Sequence, residues 1–231
     1  MKTLVRSLGL VVALLAALAV GRVDAQVYPN AKTGGNYMHN YYFAPAASST
    51  PWWPSWSPDG KRIAFAMDGS IWTVEVGGTA AKELAYSARE YLSMPEFSPD
   101  GKWLAYTADD DAKSINLRLL NVATGASVDL TTGPHVNHEP AWSPDGKRLA
   151  YVSTAPNGYF NIYVMDIVDG KAGKSVQVTT DNSFGRDRLY FGDVDVHISP
   201  AFSPDGRELL LVSNRGIPLG SGGIWRVPVE P

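Results

Sequence analysis

The stretch Ser-Pro-Asp-Gly occurs four times in this chain, each time inside a longer shared pattern. Residues 54–65 read PSWSPDGKRIAF, 95–106 PEFSPDGKWLAY, 140–151 PAWSPDGKRLAY and 200–211 PAFSPDGRELLL. The common frame is a run ending in an aromatic residue, a turn, a basic or polar pair, and a second run rich in β-formers. Proline at the first central position of the turn presets φ, aspartate can bond nearby backbone, and glycine takes the left-handed place of a type I turn with a bulge. Each copy therefore predicts strand, turn, strand. On this reading Asp59, Gly60, Asp100, Gly101, Asp145, Gly146, Asp205 and Gly206 are structural turn residues.

A third strand follows each hairpin: SIWTVEV at 70–76, INLRLLNV at 115–122, NIYVMDI at 161–167 and GIWRVPV at 223–229. The first three copies add a fourth, KELAY, SVDLTT and SVQVTT. Four antiparallel strands repeating at intervals of 41, 45 and 60 residues form the blades of a β-propeller. The expected fold class is all-β, with blades at about 51–90, 91–133, 134–182 and 197–231 and an insertion at 183–196. A composition with 22 Gly and 16 Pro suits so many turns. The last copy stops after its third strand, so the expectation is part of a ring of six or more blades. Two other arrangements stay open: the segment 26–50 supplies a closing strand, or the open edges pair with another chain.

The first 25 residues read differently. MKTLVRS is basic, LGLVVALLAALAV is an apolar run of 13 residues, and Val23 and Ala25 occupy the small-residue positions of a cleavage site. The run is too short to span a bilayer, which takes about 20 residues, so a signal peptide cleaved after Ala25 is expected, and no membrane span in the mature chain. A periplasmic or secreted protein follows. The chain carries 20 Lys and Arg against 23 Asp and Glu, and loss of Lys2, Arg6, Arg22 and Asp24 makes it more acidic, which argues against nucleic acid as a partner. The absence of cysteine removes disulfides, thiolate metal sites and a cysteine nucleophile together.

The pattern P-x-[WF]-S-P-D-G-[KR]-x-[IL] resembles the WD40-like repeat of TolB-type periplasmic β-propeller proteins, over most of residues 51–231. More narrowly, STPWWPSWSPDGKRIAFAMDGSIW, NGYFNIYV, GRDRLYFGDVDVHISPAFSPDG and SNRGIPLGSGGIWRVP resemble the N-terminal propeller of exported bacterial proteins that continue into an amidohydrolase domain. That resemblance implies a covalently linked hydrolase domain whose zinc-binding residues are not in this chain. The propeller of a prolyl-oligopeptidase-type peptidase is a third alternative, and it too implies a hydrolase domain not in this chain.

Up-and-down topology puts the Ser-Pro-Asp-Gly turns on one face and the irregular connections on the other, and binding residues usually lie on such loops. The candidate binding residues are His135, His138, Arg186, Arg188, Tyr190, Asp193, Asp195 and His197. HVNHE at 135–139 is neither a helical HExxH nor an HxH pair, and Asp193, Asp195 and His197 read as partners of Arg186 and Arg188 in a charge network as readily as ligand contacts. No G-x-S-x-G elbow and no G-x-x-x-x-G-K loop occurs. No catalytic residue, metal site or cofactor is assigned. The expected function is a noncatalytic envelope module that binds a protein, peptide or glycan through the irregular face.

Overall fold

The structure, a computed structural model, describes residues 49–110, 113–182, 195–215 and 222–229. The predicted leader, the segment up to residue 48 and most of the insertion at 183–196 lie outside the described residues. No helix occurs among the described residues, and the fifteen strands fall into four sheets. The first sheet holds β1 Trp52–Trp56, β2 Arg62–Met67, β3 Ser70–Glu75 and β4 Ala81–Ala85, the second β5 Tyr91–Phe97, β6 Trp103–Asp109, β7 Ile115–Asn121 and β8 Ser127–Asp129. The third holds β9 Asn137–Trp142, β10 Arg148–Ser153, β11 Asn161–Val168 and β12 Lys171–Gln177, the fourth β13 His197–Phe202, β14 Glu208–Ser213 and β15 Gly223–Pro228. Within each sheet the strands lie in chain order and every ladder is antiparallel. These are propeller blades. The first strands β1, β5, β9 and β13 pack on one another in succession.

Each Ser-Pro-Asp-Gly turn satisfies itself. Ser143 Oγ donates to Asp145 Oδ1 at 2.7 Å and accepts from Arg148 N at 2.9 Å, Lys147 N donates to Asp145 Oδ1 at 3.1 Å, and Gly146 N donates to Ser143 O at 2.9 Å. The same serine–aspartate and backbone–aspartate bonds recur in the other three copies. The serine hydroxyl, then the backbone N–H, holds the carboxyls of Asp59, Asp145 and Asp205 below their usual range. Gly146 sits at φ +70°.

Sheet alternation sends neighbouring residues of each second strand into different interfaces. Leu104 and Tyr106 pack with Ala64, Ala66 and Ile71 of the first blade, whereas Ala105 packs with Leu149 and Tyr151 of the third. Ala150 and Val152 then meet Ile198, Leu209 and Leu211 of the fourth. The core is thus three inter-blade layers.

Two local features depart from the simple strand reading. The fourth strand of the third blade begins at Lys171, ahead of SVQVTT, because Asp169 (φ 50°) and Gly170 (φ 73°) make a two-residue hairpin turn that pairs Val168 with Lys171. Every first strand also carries a bulge at the residue before the repeat proline: Trp53, Met94, Glu139 and Ser199 all have φ of 52–53°. The ladder register shifts there in all four blades. A left-handed L-residue costs about 1–2 kcal/mol, and the following proline lacks an N–H, so the bulge falls where no ladder donor is lost.

Two glycines separate backbone strain from collision. A Cβ at residue 146 would only touch Pro99 Cδ at 3.6 Å, whereas at residue 170 it would lie 2.2 Å from the indole of Trp103. Gly146→Ala should therefore cost about 1 kcal/mol through φ alone, and Gly170→Ala at least about 2 kcal/mol because Trp103 must also move. Urea denaturation of both variants checks this; equal costs would contradict the Trp103 contact.

Candidate functional site

The blade topology separates two faces. One holds the Ser-Pro-Asp-Gly turns and the turns between third and fourth strands; the other holds the remaining connections, including those between blades. The second face carries a polar ladder that recurs in the second and third blades. In the second blade Leu117 N donates to Thr131 Oγ1 (2.8 Å), which donates to Asn116 Oδ1 (3.1 Å). In the third, Ile162 N donates to Thr179 Oγ1 (2.9 Å), which donates to Asn161 Oδ1 (3.0 Å). Asn137 Nδ2 donates across from the third blade to Ile115 O and Asn116 Oδ1, at 3.1 and 3.2 Å, while Asn137 Oδ1 accepts from Ser153 Oγ at 2.7 Å.

His197 stands in the fourth blade where Asn137 stands in the third, since Asn137 pairs with Ser153 and His197 with Ser213. Its Nε2 lies 2.8 Å from Asp181 O, and its N–H donates to Phe160 O at 3.1 Å. His138 is fully buried, its ring edge-on to Phe160 at 5.9 Å and its Nδ1 3.7 Å from Glu139 Oε1. Burial holds both imidazoles below their usual pKa, so both are neutral at neutral pH. The Glu139 carboxylate accepts the backbone N–H of Ser199, the corresponding bulge residue of the next blade.

The insertion is fastened at its root. Asn161 Nδ2 donates to Asn182 Oδ1 (2.9 Å), Asn182 Nδ2 donates to Asp195 O (2.9 Å), and Asp195 N returns to Asn182 O (3.4 Å). The chain leaves and re-enters the blades through this one point on the irregular face. Asp181 also meets Arg215 at 3.9 Å.

Of the residues singled out in the sequence, Arg186, Arg188, Tyr190 and Asp193 lie outside the described residues. His135 lies half-buried in the connection into β9, its carbonyl accepting from Ile115 N at 3.0 Å. His138, Asp195 and His197 sit in the seams between blades, exposed by 0%, 1% and 1%. Their side chains are closed off from solvent between the blades. No group of three His, Asp or Glu placed to hold a metal occurs among the described residues. Sequence reading missed the ladder, although its signal is the Asn and Thr recurring at Asn116 and Asn161 and at Thr131 and Thr179.

The fold and its sites define a β-propeller of four-stranded blades. Residues 70–230 match the TolB beta propeller domain, and the chain belongs to that family. It is similar to a structure described as a TolB from Agrobacterium tumefaciens, with 26% identity and a TM-score of 0.62 over 81% of this chain and 60% of that one. It is similar also to TolB from Acinetobacter baumannii (20%, TM-score 0.59, 78% of this chain and 44% of that one). The fold is shared with a puromycin-hydrolyzing peptidase of Mycobacterium tuberculosis (18%, TM-score 0.58, 87% of this chain and 30% of that one). The chain thus spans less than two thirds of the length of each. No curated protein matches it.

Two titratable side chains on the first strands give measurable consequences. Glu139→Ala removes the acceptor of the Ser199 N–H and should cost about 1–3 kcal/mol in urea denaturation, while Glu139→Gln keeps a carbonyl acceptor and should restore most of it. Burial pushes the carboxyl of Glu96 up to about 7. The folded chain therefore holds this proton where the unfolded chain has lost it, a contribution present below the ordinary carboxyl range and lost as pH rises through 7. Glu96→Gln should stabilise by on the order of 2 kcal/mol at pH 8.5 and by nothing measurable at pH 4; a gain of equal size at both pH values would refute this.

Proposed function

We propose that this propeller is a noncatalytic recognition module of the cell envelope, exported by the leader cleaved after Ala25, that binds a protein, peptide or glycan through its irregular face. The observation that carries the reading is the fastening of residues 182 and 195 on that face. Such a fastening fixes the two ends of a long connection, and long connections in compact domains are usually functional or disordered. The opposite face has its turn groups internally satisfied and reads as scaffold. Arg186, Arg188, Tyr190 and Asp193, with His135, are the contact residues of this proposal, and His138, Asp195 and His197 stand in the blade seams.

A second reading makes the propeller the accessory part of a larger exported hydrolase, of amidohydrolase or prolyl-oligopeptidase type. The faces of the end blades favour a larger ring. Ile63 and Phe65 of the first blade occupy the positions that Leu104 and Tyr106, and Leu149 and Tyr151, bury against a preceding blade. With Trp52 and Val74 they line an open hollow of about 340 Å³. At the other end Leu210 and Ile224 are 43% and 79% exposed. Further blades of the same repeat would cover both faces.

Photo-cross-linking in the producing cell tests the first reading. A photoreactive residue at Thr132 or Asn157, both exposed on the irregular face, should capture an envelope partner, and one at Lys147 on the turn face should not. Tyr190→Ala should abolish the capture at unchanged melting temperature. Capture from Lys147 alone, or a cytoplasmic protein that retains Met1, would sink it.

A further inference from the structure

The repeats can be compared with one another at every cross-strand position. One row runs across the second, third and fourth strands on the side facing the preceding blade. It reads Phe65–Trp72–Glu83 in the first blade, Tyr151–Tyr163–Gln177 in the third and Leu211–Trp225 in the fourth. In all three the third strand contributes an aromatic ring. In the second blade the row is Tyr106–Arg118–Asp129, and an arginine replaces the ring.

That arginine is held with care. Arg118 donates from Nη1 and Nη2 to the two oxygens of Glu90, at 2.6 and 2.9 Å, and from Nε to Asp129 Oδ1 at 2.7 Å. Glu90 comes from the connection between the first two blades and is itself fixed by Ser87 Oγ at 3.0 Å. Tyr106 donates its hydroxyl to Ser127 Oγ at 3.0 Å. Around this row a groove of about 650 Å³ opens between the end of β4 and the outer strands of the second blade, and Tyr86 lines it with 67% of its surface exposed.

We propose that this groove binds a neutral sugar of two or three units. Its volume falls within the range of small-molecule sites. Two carboxylates against one guanidinium leave the groove with a surplus negative charge, which disfavours an anionic ligand. Each terminal nitrogen of Arg118 keeps a second N–H beyond its bond to Glu90, and Asp129, its side chain 55% exposed, keeps acceptor capacity beyond its bond from Nε. Fixed donors beside a fixed acceptor match vicinal hydroxyls, each of which donates and accepts. The exposed ring of Tyr86 offers a flat apolar surface to the C–H face of a pyranose. The site lies at the outer rim of a blade junction, takes Tyr86 and Glu90 from a connection on the irregular face, and does not rest on the insertion at 183–196.

The test is calorimetric titration of the whole chain with maltotriose, cellotriose and chitotriose, with trilysine and trigalacturonate as charged probes. At least one neutral trisaccharide should bind, and Tyr86→Ala and Asp129→Asn should each weaken it at least tenfold at unchanged melting temperature. The proposal is overturned if no neutral trisaccharide binds, if Tyr86→Ala leaves the affinity intact, or if either charged probe binds more tightly than the sugars.

Discussion

A blade is a small sheet that must bury both faces, and most of this structure follows from that requirement. A sheet in a sandwich can leave one face to water, but a blade between two others has no solvent side. Its second strand therefore reads as a nearly continuous apolar run, Leu149-Ala150-Tyr151-Val152, whose alternate members serve different neighbours. The small Ala64, Ala105 and Ala150 lie between larger residues of the same strands, which lets adjacent sheets interdigitate at core density. The same requirement makes the open face of the first blade informative. Its apolar row is not an accident of surface composition but the row that the next two blades bury.

Polar groups at the blade edges face a related problem, because a backbone N–H trapped between sheets needs a partner. The two ends of the blades solve it in different ways. On the turn side a single aspartate per blade accepts from serine and backbone within its own turn, so the solution is local and identical in all copies. On the irregular side Thr131 and Thr179 accept backbone bonds within the second and third blades, while Asn137 and His197 carry bonds across the two following seams. Local solutions make good scaffold, whereas a solution spread over two blades ties loop placement to blade packing. A ligand that moved the insertion would act directly on the Asn161–Asn182–Asp195 chain of bonds.

Strand order, blade count and turn chemistry were legible in the sequence, because proline, aspartate and glycine at fixed offsets act within four residues of chain. The bulges were not. Trp53, Met94, Glu139 and Ser199 have nothing in common as residue types, and their left-handed geometry goes with the register shift against the neighbouring strand. The early start of β12 was masked because Asp169-Gly170 reads equally as the edge of a loop. The equivalence of His197 and Asn137 was hidden for the same reason: it exists only once two strands are superposed by register.

That comparison of copies is a stronger guide to chemistry than the residue types themselves. Positions that agree in four blades are explained by the blade, and a histidine that substitutes for a bonded asparagine is explained by the seam. Arg118 is explained by neither. Partly burying a guanidinium at the edge of a blade costs desolvation that an aromatic ring at the same place does not, and the bonds to Glu90 and Asp129 offset it. An arginine tied to two carboxylates in place of a ring gives the position a fixed set of donors and acceptors, which packing alone does not require.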